Sequence, residues 1–206
     1  MSDYDYLKRI LDLILATIVM LGLLPLFLVL FILVKATSKG PAFFVQERVG
    51  FRGHIFKMIK FRSMYADADH RVHREYVEKL IKKGEKGGRT YKLENDPRIT
   101  PVGRWLRKLS LDELPQFLNV LKGDMSLVGP RPPIPYELEV YKPWHFKRLE
   151  TKPGITGLWQ VSGRNLLSFD QQAALDIKYI QHKSLAMDLT IIIKTIPVML
   201  SGVGAV

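Results

Sequence analysis

Asp112 and Glu113 are adjacent carboxylates within Ser110-Leu111-Asp112-Glu113-Leu114-Pro115-Gln116. Ser110 followed by Glu113 fits the S-x-x-E capping box, so a helix is predicted to start at Ser110. The pair would then lie in a first turn, where free backbone N–H groups and the dipole favour anions. That placement suits a carboxylate working beside phosphate, and it sets the pair apart from carboxylates on a solvated helix face. Cations with matching chemistry lie on either side in sequence. Arg131 is framed by Pro130 and Pro132, which pre-orients a guanidinium for two-pronged phosphate binding. Lys60 and Arg62 alternate around Phe61 and would share one face of a strand. The chain has no cysteine, which excludes thiol catalysis, disulfides and cysteine-based zinc sites. Its five histidines show no ligand spacing for a metal.

The elements that must hold these groups divide into an apolar leader and a basic body. The 206 residues carry 31 Lys+Arg against 20 Asp+Glu, a net charge of +11, with 47% hydrophobic residues. The apolar share excludes a disordered chain, and the length suits one domain with a small appendage. Residues 10–34 contain a single charge, Asp12, while the first 34 residues hold Lys8 and Arg9 against Asp3, Asp5 and Asp12. The basic excess therefore lies entirely in the remainder, and it points to an anionic partner. A cleaved signal peptide has a shorter apolar core behind a basic start; here the start carries as many acids as bases. Two readings of the leader stand: a helix spanning the bilayer, or a re-entrant one bent at Gly22–Pro25. Lys35, Lys39, Arg48, Arg52, Lys57, Lys60 and Arg62, opposed only by Glu47, place the far end of the run on the cytoplasmic side.

In the body, residues 35–64 read as a β-hairpin near the membrane, punctuated by Gly40-Pro41, Gly50 and Gly53. Residues 65–83 read as a solvated helix and 84–90 as a loop. Thr100-Pro101 marks a helix start, with two helices divided near Ser110 and the second ending at Gly123. Residues 129–135 hold four prolines and are extended. Residues 136–150 are predicted helical, Pro153–Gly157 a rigid loop, and a further helix runs from about Ser168 to His182. The apolar tail from Met187 to Gly202 is read as an interfacial helix.

Several segments together carry a family resemblance. They are Lys60-Phe61-Arg62-Ser63-Met64, Asn95-Asp96-Pro97-Arg98, the Ser110–Gln116 segment, Gly123-Asp124-Met125-Ser126-Leu127-Val128-Gly129-Pro130-Arg131-Pro132, and Pro153-Gly154-Ile155-Thr156-Gly157 with Gln160 and Gly163-Arg164. Over about residues 5 to 202 the chain resembles the bacterial sugar transferases, the monotopic phosphoglycosyl transferases. The resemblance implies a mainly α fold with a small β-hairpin: a re-entrant N-terminal membrane helix (residues 1–39) and a membrane-surface catalytic domain (40–206) with interfacial amphipathic helices. Some members bend the re-entrant helix at a Ser-Pro pair; here the pair is Leu24-Pro25, so the proline is kept and the serine is not. The chain opens at this module, which reads as the family's minimal form or as a piece cut down to it.

The implied reaction moves a hexose 1-phosphate from a UDP-sugar, UDP-galactose or UDP-glucose by analogy, to polyprenyl phosphate at the cytoplasmic face of a bacterial inner membrane. Such a step opens exopolysaccharide, capsule or O-antigen assembly. Asp112 is the implied nucleophile, and Glu113 assists the second step or holds metal. Lys60, Arg62, Arg107, Arg131, Gln160 and Arg164 are the implied substrate contacts. Mg²⁺ is the implied cofactor, with Asp112 its first ligand and Asp124 a weaker candidate. Trp159 is the tryptophan to test against uracil; Trp105 and Trp144 read as packing or interface residues. Membrane lipid and a homodimer complete the expected partners, without nucleic acid. The alternative is a membrane-tethered basic module that binds anionic lipid or nucleic acid, although no RNP-like aromatic set is present.

Overall fold

The computed structural model describes residues 3–65, 74, 75, 81, 96–163 and 166–200. The predicted helix over 65–83 and loop over 84–90 lie almost wholly outside the described residues.

The apolar leader is two helices, α1 (Asp3–Gly22) and α2 (Leu24–Thr37), bent by 63° at Leu23. The bend has a local cause. Pro25 has no N–H to give to the carbonyl four residues back and its ring crowds that carbonyl, so the ladder breaks there. The backbone bonds Leu23→Val19 and Phe27→Leu23, both 2.9 Å, bracket the gap. No single helix is long and apolar enough to cross a membrane, whereas the bent pair passes that test of length and composition.

The amphipathicity of α1 is inverted. Lys8, Asp12 and Ala16, spaced four apart on one face, are buried, while Leu7, Ile10, Ile14, Ile18 and Leu21 are exposed. Lys8 donates to Asp188 at 2.9 Å, and Asp12 accepts from the backbone N–H of Leu127 at 3.0 Å. The single charge in the apolar run is thus a docking contact to the body.

The hairpin forms as expected: β1 (Phe43–Val49) pairs antiparallel with β2 (Ile55–Phe61), from Phe43↔Phe61 to Val49↔Ile55. Next comes α3 (Pro101–Lys108), capped by Thr100, whose hydroxyl accepts from the Gly103 N–H at 2.9 Å. A single 3₁₀ turn, Leu111–Glu113, leads to α4 (Gln116–Lys122), which Gly123 closes at φ 92°, a conformation glycine adopts without steric cost. Strand β3 (Ser126–Val128) pairs in parallel with β4 (Gly154–Thr156). The last described elements are α5 (Leu158–Val161), α6 (Phe169–His182) and α7 (Leu185–Leu200). The architecture is therefore mostly helical, with a small antiparallel hairpin.

Three expectations are corrected. No α-helix starts at Ser110, whose side chain caps nothing. Such a helix would need an N–H from Pro115 to Leu111, and proline has none; the α-helix waits until Gln116. Residues 136–150 are two 3₁₀ stretches, Pro135–Val140 and Pro143–Glu150, separated where Pro143 disfavours helical backbone at Lys142. Pro153–Gly157 is not only a loop, because Gly154–Thr156 is a strand.

Two of the three apolar clusters among the described residues bear on the site. One gathers Ala16, Phe56, Met58, Val120, Met125, Leu127, Val128, Tyr179 and Ile191. The other joins Leu30 and Val34 of α2 to Ala42, Phe61, Leu106 and Leu114. The second cluster seats α3 and the acidic turn against the outgoing half of the leader.

Candidate active site

The end of β2, the body of α3 and the 3₁₀ turn converge on the acidic pair. Ser110 holds φ 55°, ψ 21°, a left-handed conformation that costs a non-glycine residue roughly 1–3 kcal/mol. It reverses the chain directly after α3 and so aims Leu111–Glu113 back toward β2. Glu113 is met by Lys60, Nζ to Oε1 2.7 Å. Asp112 is only 6% exposed. The pair does not sit on an α-helix N-terminus; side-chain cations stand near it instead.

Arg107 is the second cation. Its Nε donates to Ser63 Oγ at 2.9 Å. Burial pushes its pKa down, and Asp112 and then Asp96 pull it back up, so guanidinium and carboxylates share one electrostatic neighbourhood. Asp96 in turn grips Arg98 with both oxygens, 2.9 Å to Nε and 2.7 Å to Nη2. That hydrogen bonding to Arg98 holds the Asp96 carboxyl below its ordinary value. A depressed carboxylate stabilises the fold above its unfolded pKa and loses that contribution as pH falls through the folded one. Asp96→Asn is accordingly expected to cost about 1–3 kcal/mol near pH 7. The deficit stays flat from neutral to mildly acid pH and closes below the usual carboxylate range. Melting curves of both proteins across pH check this.

Arg131 is held by Glu137, Nη1 to Oε2 3.3 Å, with Glu137 fully buried. Beside it lies Arg48, a residue that motif reading did not single out. Arg48 Nη1 donates to Pro132 O at 2.9 Å and Nη2 to Gln46 Oε1 at 2.7 Å. Burial first, then the neighbouring Arg131, pushes its pKa down to about 9, against the pull of Glu137 and Glu113. Arg48 therefore ties β1 to the proline segment that presents Arg131. Alternation offered no signal for it: Phe43, Val45 and Val49 mark the odd face of β1 as apolar, whereas Phe43 and Val45 are exposed and Arg48, on the other face, is buried. Next to this cluster a groove of about 520 Å³ opens between β1 and Pro135–Val140, lined by Phe44, Gln46, Tyr136 and Glu139 among others. Phe44 stands opposite Lys60 in the hairpin register, so the groove adjoins the acidic turn.

The remaining expectations fall as follows. Arg62 does not join Lys60. Strand β2 ends at Phe61, so the two-residue alternation stops one position short, and the Arg62 guanidinium turns to Ser38 and Val34 at the end of α2. Gln160 donates to Ile155 O at 3.2 Å, on the β4–α5 side. Arg164 lies outside the described residues. Trp159 is buried and packs as a core residue, Trp144 is half-buried and Trp105 exposed. Asp124 accepts from Asn119 Nδ2 at 3.2 Å, which makes it a helix-end partner of α4. Among the described residues no group of three or more His, Cys, Asp or Glu converges as a metal site.

The site is thus a buried Asp112 beside a half-buried Glu113, with Lys60 on Glu113 and the Arg107 charge close to Asp112, on a fold whose apolar leader is bent with an exposed apolar face. The family model for bacterial sugar transferases matches residues 3–202, and the chain belongs to that family of enzymes. It is 49% identical to the galactosyl transferase CpsE of Streptococcus agalactiae, over 96% of this chain and 43% of that protein. It is 45% identical to the exopolysaccharide production protein ExoY of Sinorhizobium fredii, over 96% of this chain and 87% of that protein. It is 44% identical to the undecaprenyl-phosphate galactose phosphotransferase of Salmonella typhimurium, over 97% and 42% respectively. The chain thus spans nearly the whole of one kind of relative and under half of the other.

Proposed function

We propose that the protein transfers a hexose 1-phosphate from UDP-galactose or UDP-glucose to polyprenyl phosphate, in two displacements at Asp112. A carboxylate oxygen of Asp112 attacks the β-phosphorus, and the bond from that phosphorus to the bridging oxygen breaks. UMP leaves and an aspartyl phospho-sugar remains. A phosphate oxygen of the polyprenyl carrier then attacks the same phosphorus. The aspartyl–phosphorus bond breaks, the carboxylate is restored, and polyprenyl-diphosphate-sugar is released. Dividing one difficult displacement in two is what a covalent nucleophile contributes. The observation that carries this reading is the buried Asp112 next to a Glu113 already neutralised by Lys60 at 2.7 Å. An adjacent charged carboxylate would otherwise repel the incoming phosphate.

Phosphoryl transfer is catalysed by positioning and by fixed positive charge. Lys60, Arg107 and Arg131 supply side-chain charge in the proposal, with Gln160 and Arg164 as further substrate contacts. Mg²⁺ is normally held by one or two carboxylates plus substrate oxygens. The Asp112–Glu113 donors fit that partial shell, and bound there the ion would spread the charge on the phosphate oxygens. Galactose or glucose is favoured by relatives named for galactosyl transfer and for galactose and glucose phosphotransfer; assembly of an exopolysaccharide is favoured by ExoY. The site is placed at the cytoplasmic leaflet, with α1–α2 re-entrant. The outward apolar face of α1 and exposed Leu189, Ile193 and Ile196 of α7 support a membrane-surface seat.

The test is donor alone: protein in detergent mixed with UDP-galactose or UDP-glucose, no lipid added. The expected result is a burst of UMP and a hexose-phosphate mass adduct mapping to Asp112. UMP formed only when polyprenyl phosphate is also present, with no adduct, would instead mean direct transfer. Absence of UMP from every UDP-sugar would return the chain to the lipid- or nucleic-acid-binding alternative.

A further inference from the structure

Arg62 is 5% exposed, and its backbone N–H extends the hairpin by bonding to Ala42 O at 2.8 Å. Its Nη2 donates to Ser38 O at 2.7 Å, to Ser38 Oγ at 2.8 Å and to Val34 O at 3.4 Å. Among the described residues these partners are all neutral, and Nε and Nη1 have none. A buried guanidinium held this way draws its compensation from the end of α2. The last carbonyls of a helix lack intrahelical donors and carry the negative pole of the dipole, so a cation belongs there.

Phe61 packs on α2 with Arg62, and the residues that flank the two, Lys60 and Ser63, face the other way. Lys60 pairs with Glu113 at 2.7 Å. Ser63 accepts from Arg107 Nε at 2.9 Å, and its carbonyl accepts the Thr100 N–H at 3.1 Å. A four-residue stretch therefore holds the outgoing leader helix with Phe61 and Arg62, the acidic turn with Lys60, and α3 with Ser63. We infer that Arg62 is a positioning residue that fixes the height of the Asp112–Glu113 turn relative to α2, and hence relative to the bilayer. The inference rests on the two-step reading above. A UDP-sugar arrives from water and meets the turn at any height. The phosphate of a lipid acceptor is held at the membrane surface, so only the second displacement senses that height.

The test separates the halves of the reaction in full-length protein embedded in lipid nanodiscs. The donor half is read as exchange of labelled UMP into UDP-galactose and, separately, UDP-glucose without polyprenyl phosphate, and the variants are compared on the donor that the wild-type protein exchanges. The acceptor half is read as product formation across a range of undecaprenyl phosphate. Arg62→Gln is expected to keep exchange within about twofold and to lower transfer at sub-saturating acceptor by about tenfold or more, as ångström-scale misplacement of reacting groups does. Arg62→Lys keeps one cation at the helix end and is expected to recover much of the transfer. Exchange itself reports that the variants are folded. Parallel loss of exchange and transfer in both variants, or no loss in either, overturns the inference. Absence of exchange in the wild-type protein overturns the covalent reading, and this inference with it.

Discussion

Asp112→Asn is expected to abolish both UMP release and transfer to the lipid, by at least about a thousandfold, because an amide cannot replace the carboxylate as nucleophile. The change is nearly isosteric, so the fold should survive, and the Lys60–Glu113 pair does not include Asp112. The contrast with Glu113→Gln makes the result diagnostic. If Glu113 supports the second displacement, its amide variant retains the donor-only adduct while turnover falls. If both variants lose the adduct equally, the acidic pair acts as one unit and Glu113 has no separate role in the second displacement. Intact-mass measurement after mixing with UDP-galactose, together with a UMP assay, reads both variants. An adduct persisting in Asp112→Asn would move the nucleophile elsewhere.

The largest stability effect is expected at Gly103. Helix propensity alone argues that Gly→Ala within a helix stabilises by up to about 1 kcal/mol. The packing of α3 reverses the sign. A Cβ on Gly103 would lie 2.0 Å from the carbonyl oxygen of Ser63 and 2.6 Å from its carbonyl carbon. These are backbone atoms that cannot swing aside, so α3 must separate from the β2 end. A loss of roughly 3 kcal/mol or more follows from overpacking of this kind. In a chain of this size that lowers the melting temperature by roughly 6–12 °C. Activity should fall as well, because Ser63 Oγ accepts from Arg107 and the Ser63 carbonyl accepts from Thr100. Arg104→Ala, one position along on the exposed side of α3, is the control, with a change of about 0.5 kcal/mol or less. A Gly103→Ala protein as stable as the wild type would show that α3 does not approach β2 this closely.

Much of the local architecture was legible because local chemistry dictates it. Pro25 breaks the leader where its missing N–H must. Thr100-Pro101 starts α3, Gly123 ends α4, and the glycines around residue 50 turn the hairpin. The capping box assigned to Ser110 failed because Pro115, five positions on, vetoes the helix the box would begin. The box that does form is at Ser168, where Gln171 reciprocates and no proline follows within the helix. Parallel pairing of Ser126–Val128 with Gly154–Thr156 was not legible, since three-residue strands carry no periodicity and their contact spans a long crossover.

The site divides along the same line. Residue types and order alone carried the family resemblance, the acidic pair, a break at Gly22–Pro25 as one of two readings of the leader, and the separation of apolar leader from basic body, because each is a property of neighbours in the chain. Which cation serves which anion was decided only in three dimensions. Lys60 and Arg62 are two residues apart, yet one neutralises Glu113 and the other closes α2. Asp12, the lone charge of an apolar run, meets Leu127 of β3, and Arg48 supports the segment bearing Arg131. A buried charge takes the partner that packing brings within hydrogen-bond reach, and that partner is set by contacts tens of residues away.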